Sequence, residues 1–268
     1  MESAPPDLPR PFYEEWSRRR APAARALWHW HEALWEPTVP SGASVDPFFD
    51  EERRRAEAGE PLRVLSEDTW RPAYEACERH SLHRDWLGAQ VEAARLLCGK
   101  TRFANADRVE TFVRLWALPH ARLLAALADL THSVQIGWVD ELARGFFHLA
   151  HLVSLPADVK NDRLFISRAE LEQYGVSIDE LRSGPASEGV QRLLWKQSVR
   201  VRDALQRGRA LADDLRFRQR YAFRWYWHGA LALIDELDRR DFDLWTEPLD
   251  LSWFRRVEVY LLMVFGRS

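Results

Sequence analysis

Apolar residues recur at helical spacing along nearly the whole chain, and almost no segment alternates in the manner of a strand. That pattern restricts the chain to an all-α fold, because helices without a sheet must bury their apolar stripes against one another. Helices are expected over 25–35, 67–78, 86–97, 107–130, 139–153, 168–174, 189–215, 218–240 and 252–265. The segment 139–153 is apolar on more than one face, which predicts a central helix. Pro119 lies inside a long helical pattern and predicts a kink, while Pro156 is expected to end the central helix. Gly175 is placed as the C-cap of a short helix. The stretch 37–47 carries Pro, Ser and Gly and reads as a loop, and 183–187 reads as a turn. No repeat or linker divides the 268 residues, so one domain is expected. The architecture that follows is a single orthogonal bundle of about ten helices around a central cavity.

Composition narrows the partners. The chain has 38 basic and 41 acidic residues, a net charge of −3, which gives no reason to expect nucleic acid. The runs Arg18, Arg19, Arg20 and Arg53, Arg54, Arg55 read as solvated helix faces. Cys77 and Cys98 fit no zinc or redox spacing, so two reduced thiols are expected. No apolar run reaches the roughly 20 residues that span a bilayer. The Pro-rich, acidic start lacks the pattern of a signal peptide. The expectation is a cytoplasmic protein with a flexible N-terminus over 1–11 and a helical domain over 12–268, with peripheral membrane contact left open. Thirteen tryptophans and thirteen phenylalanines either fill a core or line a cavity for a long apolar ligand. Composition by itself favours the core.

The segment 142–181 reads LARGFFHLAHLVSLPADVKNDRLFISRAELEQYGVSIDEL. It resembles the most characteristic region of the squalene/phytoene synthase family. Arg163, Leu164 and Phe165 match that family's Arg-aliphatic-aromatic element, and Leu171, Tyr174, Gly175 and Val176 match its short helix and exit. Phe12 and Trp16 sit where the family has a Phe-x-x-x-Phe pair. Arg25, Ala26, Leu27 and Trp28 match its first helix. The connector EAGEP at 57–61 matches, as do Leu233, Ile234, Asp238, Phe242 and Asp243 in the late helix. The resemblance covers roughly 12–256 and implies an isoprenoid-synthase-type bundle.

The family's chemistry condenses two prenyl diphosphates head to head, with magnesium held by carboxylates to neutralise the leaving group. Here the positions matching the first Asp-rich motif are Thr38, Val39 and Gly42. At the second motif Ser154 replaces one aspartate and Asp158 survives. Phe147, Ala150 and Val153 stand where the family has Gln, Asn and Arg, and Arg114 to His120 replaces its Tyr-rich, Gly-rich segment. The pair Asp158 and Asp162 has the look of a shifted motif, but the ungapped match places Asp162 in a solvated turn. One carboxylate does not replace a site of several. The resemblance therefore implies a diverged member with no metal site and no cofactor, unless the motifs are misplaced.

Histidines stand near the lost carboxylates. His31 lies two turns before Thr38, on one face if the first helix runs that far. His151 shares a face with Ser154, while Pro156 leaves its relation to Asp158 open. His31, His151 and Asp158 are the candidate catalytic groups, by proton transfer or by binding a transition metal, against the simpler reading of core histidines. Phe12, Trp16, Trp28, Leu115, Phe147, Ala150, Ser154 and Trp227 are the candidate ligand-binding residues. One functional expectation is a non-catalytic relative that binds an isoprenoid-like apolar molecule or a pathway protein. The alternative is a transferase that moves a prenyl group to another, aromatic, acceptor. An ordinary synthase with a relocated metal site is the least favoured. Arg95, Arg114, Arg122, Arg144 and Lys160 are candidate cations for a diphosphate in the second case.

Overall fold

The computed structural model describes residues 19–184, 187–247, 249, 251–252, 255–257 and 259–261. Among them the architecture is all-helical, and the one β-type contact is an isolated bridge between Thr101 and Arg163. Twelve α-helices follow in order. They are α1 (Ala21–Ala33), α2 (Val45–Ala58), α3 (Glu67–His80), α4 (Asp85–Ala94) and α5 (Ala106–Leu127). Next come α6 (Ser133–Val153), α7 (Leu155–Lys160), α8 (Arg168–Tyr174) and α9 (Ile178–Ser183). The order closes with α10 (Glu188–Gly208), α11 (Leu211–Asp214) and α12 (Phe217–Arg239). No helix among these residues is long and apolar enough to cross a membrane.

Local chemistry explains the ends. Asn105, Ser167, Ser177 and Ser187 each accept a backbone N–H at a helix start. Ser167 with Glu170 and Ser177 with Glu180 form reciprocal capping boxes. Gly175 closes α8 at φ 64°, as its type predicts. The run 189–215 breaks after Gly208 into α10 and α11. Helix α2 arises within and beyond the expected loop 37–47, because Pro47 is tolerated in a first turn. The N-terminal boundary at residue 11, Phe12 and Trp16 lie outside the described residues, as does half of the expected helix 252–265.

Two apolar clusters organise the molecule. The larger joins α1 to α6 with α10, α11 and α12, and is built on Trp30, Phe49, Phe112, Trp116 and Phe147. The smaller gathers α7, α8, α9 and α10 around Leu155, Val159, Leu171, Leu181 and Leu193. Helices α5 and α6 are central, and α6 packs along α10. That approach is close: a Cβ on Gly208 would lie 2.3 Å from Leu142 Cγ and 2.8 Å from the Trp138 carbonyl oxygen.

Candidate functional site

The junction of α6 and α7 builds the one polar constellation that joins several sequence candidates. Ser154 ends α6 and begins α7, and Pro156 occupies the first turn of α7. Pro156 thus turns the chain as well as ending a helix. The turn brings Asp158 back beneath His151. His151 Nδ1 lies 2.8 Å from Asp158 Oδ2, and Ser154 Oγ donates to the same oxygen at 2.6 Å. Beside a carboxylate, Nδ1 carries the proton and Nε2 is left as an acceptor. His151 Nε2 is buried and meets no hydrogen-bond partner among the described residues. Asp158 is 8% exposed and His151 6%.

Aromatic rings close over this group. Trp35 stacks on His151 with ring centres 5.3 Å apart, Phe165 lies at 3.9 Å and Phe147 meets the imidazole edge-on at 4.5 Å. The Arg163 guanidinium sits 5.0 Å above the Trp35 ring and donates to the Trp35 carbonyl oxygen at 3.3 Å. Asp158 therefore pairs with His151 and Ser154. Asp162 faces outward, bonded to Arg102 and Arg182, whereas Asp158 is buried, so the two do not form a solvated pair.

A hollow of about 20 Å³ adjoins the group, with His148, Leu155, Ile166 and Gln197 in its wall. Burial, with a contribution from His151, pushes His148 down to about 4. Across the hollow Gln197 donates to Glu170. Burial opposes the Glu170 charge, yet hydrogen bonds from Ser167 and Gln197 and the Arg200 guanidinium hold that carboxyl below its ordinary range.

The remaining candidates fall elsewhere. Helix α1 ends at Ala33, so Thr38 lies in an exposed loop and shares no helix face with His31. The two turns of continuity that the His31 reading needs are absent. His31 is fully buried, its Nδ1 donating to Gln90 Oε1 at 2.7 Å, and its ring stacks on His120 at 4.1 Å and meets Trp116 at a tilt with centres 4.3 Å apart. It is a packed core histidine. Trp28 meets His120 edge-on. Leu115 packs half-buried against the core, and Ala150 is half-buried on α6. Trp227 donates its indole N–H to the Leu205 carbonyl oxygen at 2.9 Å.

Among the described residues, three of the four helices that carry His31, Leu115, His151 and Trp227 line a cavity, and α1 is not one of them. Rings from Phe112, Trp116 and Trp35 fill the space between His31 and His151. An apolar cavity of about 50 Å³ opens instead toward the other end of α5 and α6, closed by α11 and α12. Leu124, Val139, Leu142, Phe146 and Phe223 line it, and Gln219 and Tyr226 are its polar side chains. Sequence reasoning missed the part Trp35 plays, because it reads as the last turn of a helix and carries no motif.

Among the described residues no group of three or more His, Cys, Asp or Glu side chains is placed to share a metal ion. No curated protein sequence matches the chain significantly. Solved structures do. A squalene synthase, HpnC, from Alicyclobacillus acidocaldarius superposes with a TM-score of 0.73 at 19% identity, over 87% of this chain and 88% of that one. A dehydrosqualene synthase solved in complex with ligand gives a TM-score of 0.77 at 11% identity, over 94% of this chain and 89% of that one. At such identities these likenesses establish the fold. The model of the squalene/phytoene synthase family matches residues 17–261, nearly the whole chain, and the protein belongs to that family of isoprenoid metabolism.

Proposed function

We propose that this family member binds an apolar, isoprenoid-like molecule and does not carry out magnesium-dependent condensation of prenyl diphosphates. One observation carries the reading: the surviving motif carboxylate, Asp158, is already engaged by His151 and Ser154 beneath the Trp35 ring. Magnesium in this family needs several oxygen donors in octahedral geometry. The donor set here does not fit it, since Asp158 is surrounded by imidazole, hydroxyl and aromatic groups. The apolar cavity between α5, α6 and α12 is the place for an apolar ligand. A prenyl-sized occupant needs more than the present volume, so binding requires α12 to shift outward.

The test has two arms. Farnesyl diphosphate with millimolar Mg²⁺ should give neither diphosphate release nor a rise in melting temperature, whereas an apolar isoprenoid such as farnesol should raise it. Second, Thr38→Asp with Ser154→Asp should destabilise the fold without creating turnover. Mg²⁺-dependent diphosphate release by either protein overturns the reading.

A second reading rests on His151. A buried imidazole held by a carboxylate at Nδ1, with Nε2 left open, is the arrangement of a general base. It supports a transferase that takes a proton from a non-prenyl acceptor as a prenyl group is transferred. Assay of prenyl transfer to aromatic acceptors, with His151→Phe as control, separates the two.

A further inference from the structure

A second concave site lies outside the constellation just described, and nothing in the reading above uses it. Residues 101–104 run beside 162–169 as a short ribbon, tied by hydrogen bonds from Thr101 N to Asp162 O and from Leu164 N to Thr101 O. Arg168 N to Phe103 O and Ala169 N to Ala104 O continue the ladder. Side chains of the second segment part to two sides. Phe165 turns inward onto His151, while Asp162, Leu164, Ile166 and Arg168 line an outer groove. Helix α9 closes the far side with Ile178, Asp179 and Arg182. The groove has a volume of about 360 Å³.

Its floor is apolar, formed by the buried side chains of Phe103, Leu164, Ile166 and Leu171. Its rim is cationic. Lys100, Arg102, Arg168 and Arg182 face two carboxylates, Asp162 and Asp179, an excess of two positive charges. The carboxylates are already taken: Arg102 and Arg182 share Asp162 at 3.1 and 3.4 Å, and Arg182 bonds Asp179 at 3.0 Å. Lys100 and Arg168 are exposed and have no acidic partner among the described residues. Burial also lowers the Arg102 guanidinium from its ordinary value; Asp162 opposes the fall and Arg182 adds to it. An anion between these cations would relieve that cost.

We infer that this groove binds a small dianionic phosphate ester that carries an apolar group. Two uncompensated cations match a phosphate monoester, which holds roughly −1.5 to −2 charges at neutral pH, better than a single carboxylate. The floor of Leu164, Ile166 and Leu171 takes the apolar part. The groove is concave between ribbon and helix, which suits a dissolved molecule and not the flat face of a bilayer.

The experiment uses the whole chain and decyl phosphate below its micelle-forming concentration, followed by titration calorimetry. One-to-one binding is expected, with inorganic phosphate weaker by about tenfold or more for want of the apolar contact, and decanol and decyltrimethylammonium weaker still. Lys100→Gln with Arg168→Gln should weaken decyl phosphate by about tenfold or more while leaving the melting temperature unchanged, both side chains being exposed and unpaired. Binding that the double substitution leaves intact would place the ester in the apolar cavity near α12, and the inference falls. It falls equally if phosphatidic acid vesicles bind and the monomeric ester does not. These outcomes are independent of whether farnesyl diphosphate turns over, so this inference and the proposed function fail separately.

Discussion

The two ends of the α5–α6 pair solve opposite problems. At the C-terminal end of α6 a carboxylate remains, and the chain surrounds it with a hydroxyl, an imidazole and three aromatic rings. At the N-terminal end of α6 the walls are apolar and a hollow of about 50 Å³ is left open. The energies differ in the same sense. A lone buried carboxylate costs several kcal/mol unless it is paired, so the first end must supply partners for Asp158. A dry apolar hollow of this size costs about 1 kcal/mol at the usual rate per unit volume. The protein can leave one end empty and must finish the other. An unfilled apolar end has room to receive a ligand, whereas at the polar end the carboxylate is already engaged by His151 and Ser154.

Four measurements can break or sharpen that contrast. The largest effect is expected at Trp35. Trp35→Ala removes the ring stacked on His151 and Phe165, and urea unfolding should report a loss of about 3–5 kcal/mol. A loss under about 1 kcal/mol would mean that the polar end is not sealed by this ring. Asp158→Ala comes next. It strands the Ser154 hydroxyl and the His151 N–H, at a net cost of about 1.5–3 kcal/mol, the scale of a hydrogen bond to a charged group. An unchanged midpoint would deny the pairing.

His148 should matter in acid. Its folded-state value is about 4, below the ordinary 6.5. The unfolded chain therefore holds the extra proton between those values, so stability is fully present above about 6.5 and falls as pH drops toward 4. His148→Leu should flatten that part of the pH–stability curve, and the same slope in both proteins would show that another group causes it. The smallest effect belongs to the apolar end. Ala143→Leu narrows the hollow and should shift stability by less than about 1.5 kcal/mol. It should also abolish any rise in melting temperature from an apolar ligand. A ligand response that survives this change would move the binding place elsewhere.

Much of this was legible before the fold was known. The stop at Gly175 and the long apolar period of α6 are local signals, and the helices follow them. The squalene/phytoene synthase resemblance rested on order and spacing along the chain, and the family match bears it out. Less legible were elements whose boundaries depend on neighbours. Helix α2 begins inside a segment rich in Pro and Gly, and its arginines hide an apolar stripe of Phe48, Phe49 and Ala56. Helix α1 ends at Ala33, two residues before its expected end, so the shared face of His31 and Thr38, which needed a longer helix, does not form.

The sequence by itself determined the helical class and the family, because each depends on residue type and spacing within short stretches. Tertiary structure alone decided that Asp158 turns back onto His151, that Trp35 covers both, and that His31 packs into the core with His120. It also decided that four cations from three separate stretches share one groove. Those are meetings between side chains distant along the chain. They are set by helix packing and by a turn at Pro156, and no periodicity within a single segment encodes which faces will meet.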